Sequence, residues 1–291
     1  MASEIVETAC AKINLALAVT GRRPDGFHLI DTLAVFADVA DMVSVAPAED
    51  LSLEIAGPFA DALGDPDQNL VMRAAGALRE AAHVPADTPG ARIRLEKRLP
   101  VASGIGGGSA DAAAALRALN RCWTLDLALD RLAEVGLTLG ADIPMCLVSR
   151  PLRAVGIGED ISPVSNFPSL NLVLANPGVA VSTAAVFSGL DGRFSQAVPV
   201  PAGFGTLDAV LAFLFQTVND LEAPAVRAAP QINQVLNALR TSPKCLFARM
   251  SGSGATCFGI YPDTAAAQHA AAALSAERPD WWVRAALTGE A

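Results

Sequence analysis

Between positions 9 and 19 the chain alternates. Ala11, Ile13, Leu15, Leu17 and Val19 fall on one side; Lys12 and Asn14, with the small residues Ala16 and Ala18, fall on the other. A period of two with one apolar side predicts a strand. The stretch TGRRPDGFH (20–28) interrupts it with the turn formers Pro24, Asp25 and Gly26. Strand-like runs follow at 28–37, 42–46, 51–56 and 91–95, while 69–82, 109–121 and 127–139 space their apolar residues as helices do. Strands come first and helices follow, an α+β pattern. LNLVLAN (170–176) restarts the strands, helical patterns cover 207–218 and 231–240, and KCLFARM and ATCFGIY flank a serine-glycine turn as an antiparallel pair. A helix over 263–275 and a strand near 281–287 close the chain. The Gly/Pro-rich stretch 151–169 predicts a boundary, giving domains 1–160 and 161–291. There is no internal repeat and no low-complexity tail.

The densest glycine cluster lies in PVASGIGGGSADAAAALRAL (100–119), where Gly104, Gly106, Gly107 and Gly108 precede Ser109 and an alanine-rich run. Backbone without Cβ atoms lets successive N–H groups converge on an anion, and a following helix adds its unpaired N–H groups and the positive end of its dipole. Together these make a phosphate site. One or two glycines would be enough for a tight strand-to-helix turn, and four argue for the close approach of a ligand. Two familiar loops are excluded. No lysine follows these glycines as in a P-loop, and a dinucleotide fingerprint begun at Gly104 needs glycine where Ser109 stands. Ser109 suits a helix N-cap, and equally a hydroxyl that meets a phosphate or its magnesium. Asp111 in the first turn suits the helix dipole.

Other stretches leave two readings open. Lys12 and Asn14 are either an exposed strand edge or an anion-binding pair. In PDGFH, Phe27 either packs inward or stacks on a planar ring, with His28 hydrogen-bonding beside it. In LGADIP (139–144), Asp142 follows a helix ending near Leu139 with Gly140 as its cap. It is either an Asx turn before Pro144 or a functional carboxylate. MSGSGATCFGIY (250–261) is a hairpin turn that would also suit a loop closing over phosphates.

Composition narrows the classes. The chain has 291 residues, 52% of them hydrophobic, with no apolar run long enough to span a membrane and no signal-peptide pattern at its start. Five scattered cysteines without a CxxC pair predict reduced thiols and a cytoplasmic protein. Three histidines without ligand-like spacing make a zinc site a poor expectation. A net charge of −9 without a Lys/Arg cluster argues against nucleic acid, yet leaves room for a small anionic substrate.

Taken together, PVASGIGGGSADAA and MSGSGATCFGIY resemble the two glycine motifs of the GHMP kinase superfamily. AKINLALAVTGRRPDGFHLIDTL, NLVMRAA, EKRLPVASGIGGGSADAA, LTLGADIP and NPGVAVSTAAVF resemble, in order and spacing, its members that phosphorylate a cytidine diphosphate-linked polyol in the non-mevalonate isoprenoid pathway. The likeness runs from about residue 9 to about residue 287. It implies a two-domain α+β fold, an N-terminal domain like ribosomal protein S5 domain 2 and a C-terminal ferredoxin-like domain, with the site in the cleft. It also implies transfer of the γ-phosphate of ATP, with Mg²⁺, to a 2-hydroxyl. By the same likeness Asp142 takes the hydroxyl proton, and Lys12 pairs with it and with the transferring phosphate. Asn69 and Lys97 serve the adenosine, and Gly104, Gly106, Gly107, Gly108 and Ser109 the phosphates, with Ser109 as a metal ligand. Phe27, often tyrosine in the family, and His28 hold cytosine, while Asn14 and Thr183 serve the acceptor. Ala110 stands where a second serine is common, and SRPLRAVGIGE is more basic than the family pattern, through Arg150 and Arg153. The expected state is a monomer or weak homodimer without nucleic acid or membrane partners. Two rival readings are a kinase for mevalonate or homoserine, which would have no cytosine to hold, and a nucleotide-binding regulator without turnover.

Overall fold

A computed structural model describes residues 4–85, 88–192 and 194–289. The chain forms two compact units, each drawn from separate segments. The first takes the chain up to Ala11, Ala40–Val101 and Gly106–Ser149; the second takes Lys12–Val39, Ala102–Ile105 and the chain from Arg150.

Two long strands, β1 (Ile5–Arg22) and β2 (His28–Ala48), pair with each other and contribute residues to both units. The runs expected at 28–37 and 42–46 are therefore one strand. Asp38 and Asp41 break the apolar pattern, and each carboxylate has a partner that the local sequence does not reveal: Leu287 N–H for Asp38 at 2.8 Å, and Lys97 for Asp41 at 2.5 Å. The alternation read in β1 is also only half the picture, because both of its faces are buried from Ala9 to Val19.

In the first unit β3 (Ser52–Ala56) and α1 (Leu70–Ala81) precede β4 (Gly90–Glu96). The second half of β2 pairs antiparallel with β4, from Met42 with Glu96 to Ala48 with Gly90, and β3 joins β4 in parallel. Next come α2 (Gly107–Cys122), α3 (Leu129–Leu137) and α4 (Ile143–Val148). Alanine is the best helix former and the smallest side chain with a Cβ. The fully buried Ala112, Ala113, Ala114, Ala115 and Ala118 let α2 pack against both α1 and α4. α3 stops at Leu137, two residues short of the expected end. The six-residue α4 was not expected, since it is too short to show a helical period, and Pro144 in its first turn is compatible with its start.

In the second unit the first half of β2 pairs with β5 (Leu152–Gly156), which pairs with β6 (Asp160–Pro163). The stretch 151–169, expected as a boundary, thus holds a hairpin. Its glycines serve the turn, with φ of +75° at Gly156 and +118° at Gly158. Then follow β7 (Asn171–Asn176), α5 (Thr183–Ser188), α6 (Leu207–Phe215), α7 (Glu222–Ala228), α8 (Gln231–Thr241), β8 (Phe247–Met250), β9 (Cys257–Tyr261), α9 (Thr264–Glu277) and β10 (Trp282–Leu287). The antiparallel sheet runs β10-β7-β9-β8. With α8 and α9 packed on it, this is a β-α-β-β-α-β arrangement of ferredoxin type. Ile232, Val235, Leu236 and Leu239 of α8 fall on one helical stripe and are buried in its core with Val173, Ala175 and Tyr261. Among the described residues no helix is long and apolar enough to cross a membrane.

Candidate functional site

The glycines of the 104–108 cluster differ from one another in the structure. Gly106, in the left-handed conformation at φ +67°, is the residue that caps α2, and Ala110 N–H makes a helix bond to its carbonyl at 2.8 Å. This corrects the expectation for Ser109, which is the third helical residue and not the N-cap. The N–H groups of Gly107, Gly108 and Ser109 precede that first bond and have no partner within the helix. A Cβ on Gly107 would lie 3.1 Å from Lys97 Nζ. Gly108 is different. It is exposed and helical, and a Cβ there would meet nothing within 4 Å. Glycine at such a position costs roughly 0.5–1 kcal/mol relative to alanine, so nothing in the protein's own packing asks for it.

Beneath this helix start lies an ion cluster that the sequence did not reveal. Lys97 is 1% exposed, and its ammonium donates to Asp41 Oδ2 at 2.5 Å and to Asp111 Oδ2 at 2.7 Å. Asp41 Oδ1 accepts the N–H groups of Arg98 and Leu99. Burial works against the Lys97 ammonium, but Asp111 and Asp41 outweigh it and hold its pKa above the ordinary value. Burial pushes the Asp111 carboxyl up to about 8 against the pull of Lys97, and its Oδ1 is buried without a hydrogen-bond partner. Asp111 does not sit in the first turn as expected: it is the fifth residue of α2, and its bond to Lys97 ties α2 to the segment that enters the glycine loop.

Asn69 is half-buried and caps α1, its Oδ1 accepting from Val71 N–H at 2.9 Å. Asp142 is half-buried at the N-cap position of α4, where its side chain makes no cap hydrogen bond. Its carbonyl accepts from Cys146 N–H. These two residues, with Lys97 and Gly106 to Ser109, belong to the first unit.

The second unit gathers the others. Lys12 is 4% exposed, so the reading of an exposed edge fails; its N–H donates to the Ile105 carbonyl at 2.9 Å. Asn14, equally buried, donates its N–H to Ser251 Oγ at 3.1 Å and its amide to Thr32 Oγ1 at 2.9 Å. Ser251 Oγ in turn donates to the Gly104 carbonyl at 3.0 Å. Gly104, at φ +76°, packs directly on the second glycine motif, and a Cβ there would come within 2.5 Å of Gly254 N and Ser251 O. Gly104 is therefore glycine because backbone meets backbone, which removes it from the argument for a ligand. Thr183, the first residue of α5, shares a hydrogen bond with Ser253 of the same motif at 2.9 Å between hydroxyl oxygens.

Phe27 is 57% exposed at the tip of its turn, so it does not pack inward. His28 is half-buried and stacks on Phe187, ring centres 4.9 Å apart. Burial, with the Arg22 charge second, holds its pKa below the ordinary value, so the imidazole is neutral at physiological pH. Arg153, without an explanation in the sequence, grips Asp31 with two nitrogens at 2.9 and 2.6 Å, and Asp31 also accepts Val198 N–H. Its role is to fix β5 against β2. Arg150 is exposed.

Comparison with known proteins agrees with these motifs. The GHMP kinases N terminal domain model matches residues 69–150, and the GHMP kinases C terminal model matches 203–280. The chain is 53% identical over 278 residues to a 4-diphosphocytidyl-2-C-methyl-D-erythritol kinase of Cereibacter sphaeroides, covering 94% of this chain and 96% of that one. A crystal structure of a 4-(cytidine 5'-diphospho)-2C-methyl-D-erythritol kinase superposes with a TM-score of 0.78 at 34% identity, over 98% of this chain and 100% of that one. A homoserine kinase of Cytophaga hutchinsonii shares the fold, at TM-score 0.73 and 18% identity over 100% of this chain and 96% of that one. Likeness of that degree along nearly the whole length means that the chain belongs to the 4-diphosphocytidyl-2-C-methyl-D-erythritol kinase family of GHMP kinases.

Proposed function

We propose that the chain moves the γ-phosphate of ATP to the 2-hydroxyl of 4-diphosphocytidyl-2-C-methyl-D-erythritol, giving the 2-phosphate, ADP and a proton, in the non-mevalonate isoprenoid pathway. Family membership supports the substrate. The structural observation that carries the nucleotide is Gly108, a helical glycine with open space where a Cβ would stand, beside three N–H groups with no partner inside the helix. Close approach of a phosphate explains a residue that packing does not.

In this reading Gly106, Gly107, Gly108 and Ser109 receive the phosphates, and Gly104 sets the path of the loop. Asn69 and Lys97 belong to the adenosine side, Lys97 by fixing the helix start through Asp111 rather than by reaching out with its ammonium. Asp142 takes the proton of the attacking hydroxyl, and Lys12 brings positive charge to the transferring phosphate. Asn14 and Thr183 position the acceptor. Phe27 stacks on cytosine, and neutral His28 hydrogen-bonds to it. Among the described residues no three His, Cys, Asp or Glu side chains cluster as metal ligands. Mg²⁺ keeps several waters and binds through one or two protein oxygens plus substrate phosphates, which the half-buried Ser109 hydroxyl fits. The metal would neutralise charge on the phosphates. We also take 1–160 and 161–291 as the two family domains, since the two family matches fall on either side of that division. The five free thiols support a reducing cytoplasm, and we expect a monomer or weak homodimer with no nucleic-acid or membrane partner.

ADP release with Mg-ATP tests the reaction, with 4-diphosphocytidyl-2-C-methyl-D-erythritol, mevalonate, homoserine or no acceptor. Turnover with the cytidyl compound alone is expected. Turnover with another alcohol overturns the substrate, and ATP binding without turnover on any acceptor favours a regulator. Gly108→Ala should raise the KM for ATP by about tenfold, or about 1.4 kcal/mol, while making the free protein slightly more stable by roughly 0.5–1 kcal/mol. An unchanged KM would remove the phosphate from that position. Phe27→Ala should weaken the cytidyl substrate by about 1 kcal/mol, the scale of ring stacking, seen as a higher KM at unchanged ATP affinity.

A further inference from the structure

A pocket of about 890 Å³ opens on the second unit, lined by none of the residues given a role above. Its charged lining is Arg227, Arg240, Arg249 and a single acid, Glu222, in a chain whose net charge is −9. Arg249 is 8% exposed, yet its four hydrogen bonds all go to neutral oxygens: the carbonyls of Leu15, Leu214 and Thr217, and Thr217 Oγ1. Burial pushes its pKa down to about 10. A buried cation without a close counter-ion is costly to hold. Glu222 is shared elsewhere, with Oε1 3.6 Å from Arg240 and Oε2 accepting Met250 N–H at 3.1 Å. The rest of the wall mixes apolar side chains with Thr217, Asn219 and Asn233, and its aromatic part is open to solvent. Phe215 is 68% exposed and meets Phe247 edge to face at 5.4 Å, and the Arg249 guanidinium lies 4.7 Å over the Phe247 ring. Excess positive charge beside exposed aromatic surface defines the complementary ligand.

We propose that this pocket is a binding site for a small anion carrying an apolar or aromatic group. Its phosphate or carboxylate takes hydrogen bonds from Arg240 and charge from Arg249, and its apolar part lies on Phe215 and Phe247. The floor of the pocket is also the anchor of the second glycine motif. Asn219 donates its amide to the carbonyls of Met250 and Gly252 at 2.9 and 2.8 Å, beside the Glu222 bond to Met250. An anion that draws Arg240 from Glu222 therefore acts on that anchor. Any effect on turnover rests on the kinase reading above, whereas binding does not.

The test is calorimetric titration of the whole protein, with saturating ADP present, using 1-naphthyl phosphate and 1-naphthoate as probes and 1-naphthol and inorganic phosphate as controls. One equivalent of at least one anionic probe should bind, and each control about tenfold more weakly or not at all. The stronger probe identifies the head group. Arg240→Gln and Phe215→Ala change exposed side chains and should each weaken the probe about tenfold. Absence of probe binding overturns the site, as does binding that survives Arg240→Gln unchanged. A kinase assay that fails while the titration succeeds counts against the proposed function and leaves the site standing.

Discussion

Replacing Asp142 by asparagine is expected to lower kcat by about 10²–10⁴-fold, the range a positioned general base contributes, while the KM for ATP stays close to that of the parent. Phosphoryl transfer is mostly positioning and charge stabilisation, and the amide keeps the size of the side chain while removing its capacity to take the hydroxyl proton. Steady-state kinetics together with ADP affinity check the split. An unimpaired kcat would remove Asp142 from the chemistry, and a loss confined to ATP affinity would move it to the nucleotide.

Lys97→Met is expected to produce the largest loss of stability, about 3–5 kcal/mol, because it leaves the buried Asp41 carboxylate without its cation and removes the hydrogen bond to Asp111. Urea denaturation at neutral pH measures it. Asp111→Asn should cost much less there, since burial pushes the Asp111 carboxyl up to about 8 and the folded protein already carries its proton. The sign of the pH dependence follows from the same shift. Between the ordinary value of 3.8 and about 8, the folded state holds a proton at Asp111 that the unfolded chain has released. Stability therefore falls with rising pH across that window. The difference in stability between the parent and Asp111→Asn should change accordingly, and a difference independent of pH would contradict the protonated carboxyl. Because α2 begins above this cluster, Lys97→Met should also weaken ATP, whereas Asp142→Asn should not.

The patterns along the chain were enough to determine most of the regular structure. Alternation and helical spacing located β3, β4, α1, α8 and α9 to within a residue or two, because each buries one face against a single layer and its period is written in consecutive residues, and β7 showed as a short apolar run buried on both faces. Short elements escaped. α4, α5 and α7 have six or seven residues, fewer than two full turns, so no period accumulates. The glycine motifs and the family likeness pointed to the loop proposed to receive the nucleotide, since backbone chemistry of that kind depends on local sequence.

Tertiary structure alone decided what each of those residues is for. Gly104, Gly107 and Gly108 are identical in the sequence. One is fixed by Gly254 and Ser251, one stands over Lys97, and one meets nothing in the protein. Asp41, Lys97 and Asp111 form one charged cluster across sequence separations of 56 and 14 residues, and Arg153 finds Asp31 across 122. A buried ion needs a partner, but that partner can come from any element the fold brings within hydrogen-bond reach. No spacing rule along the chain can name it.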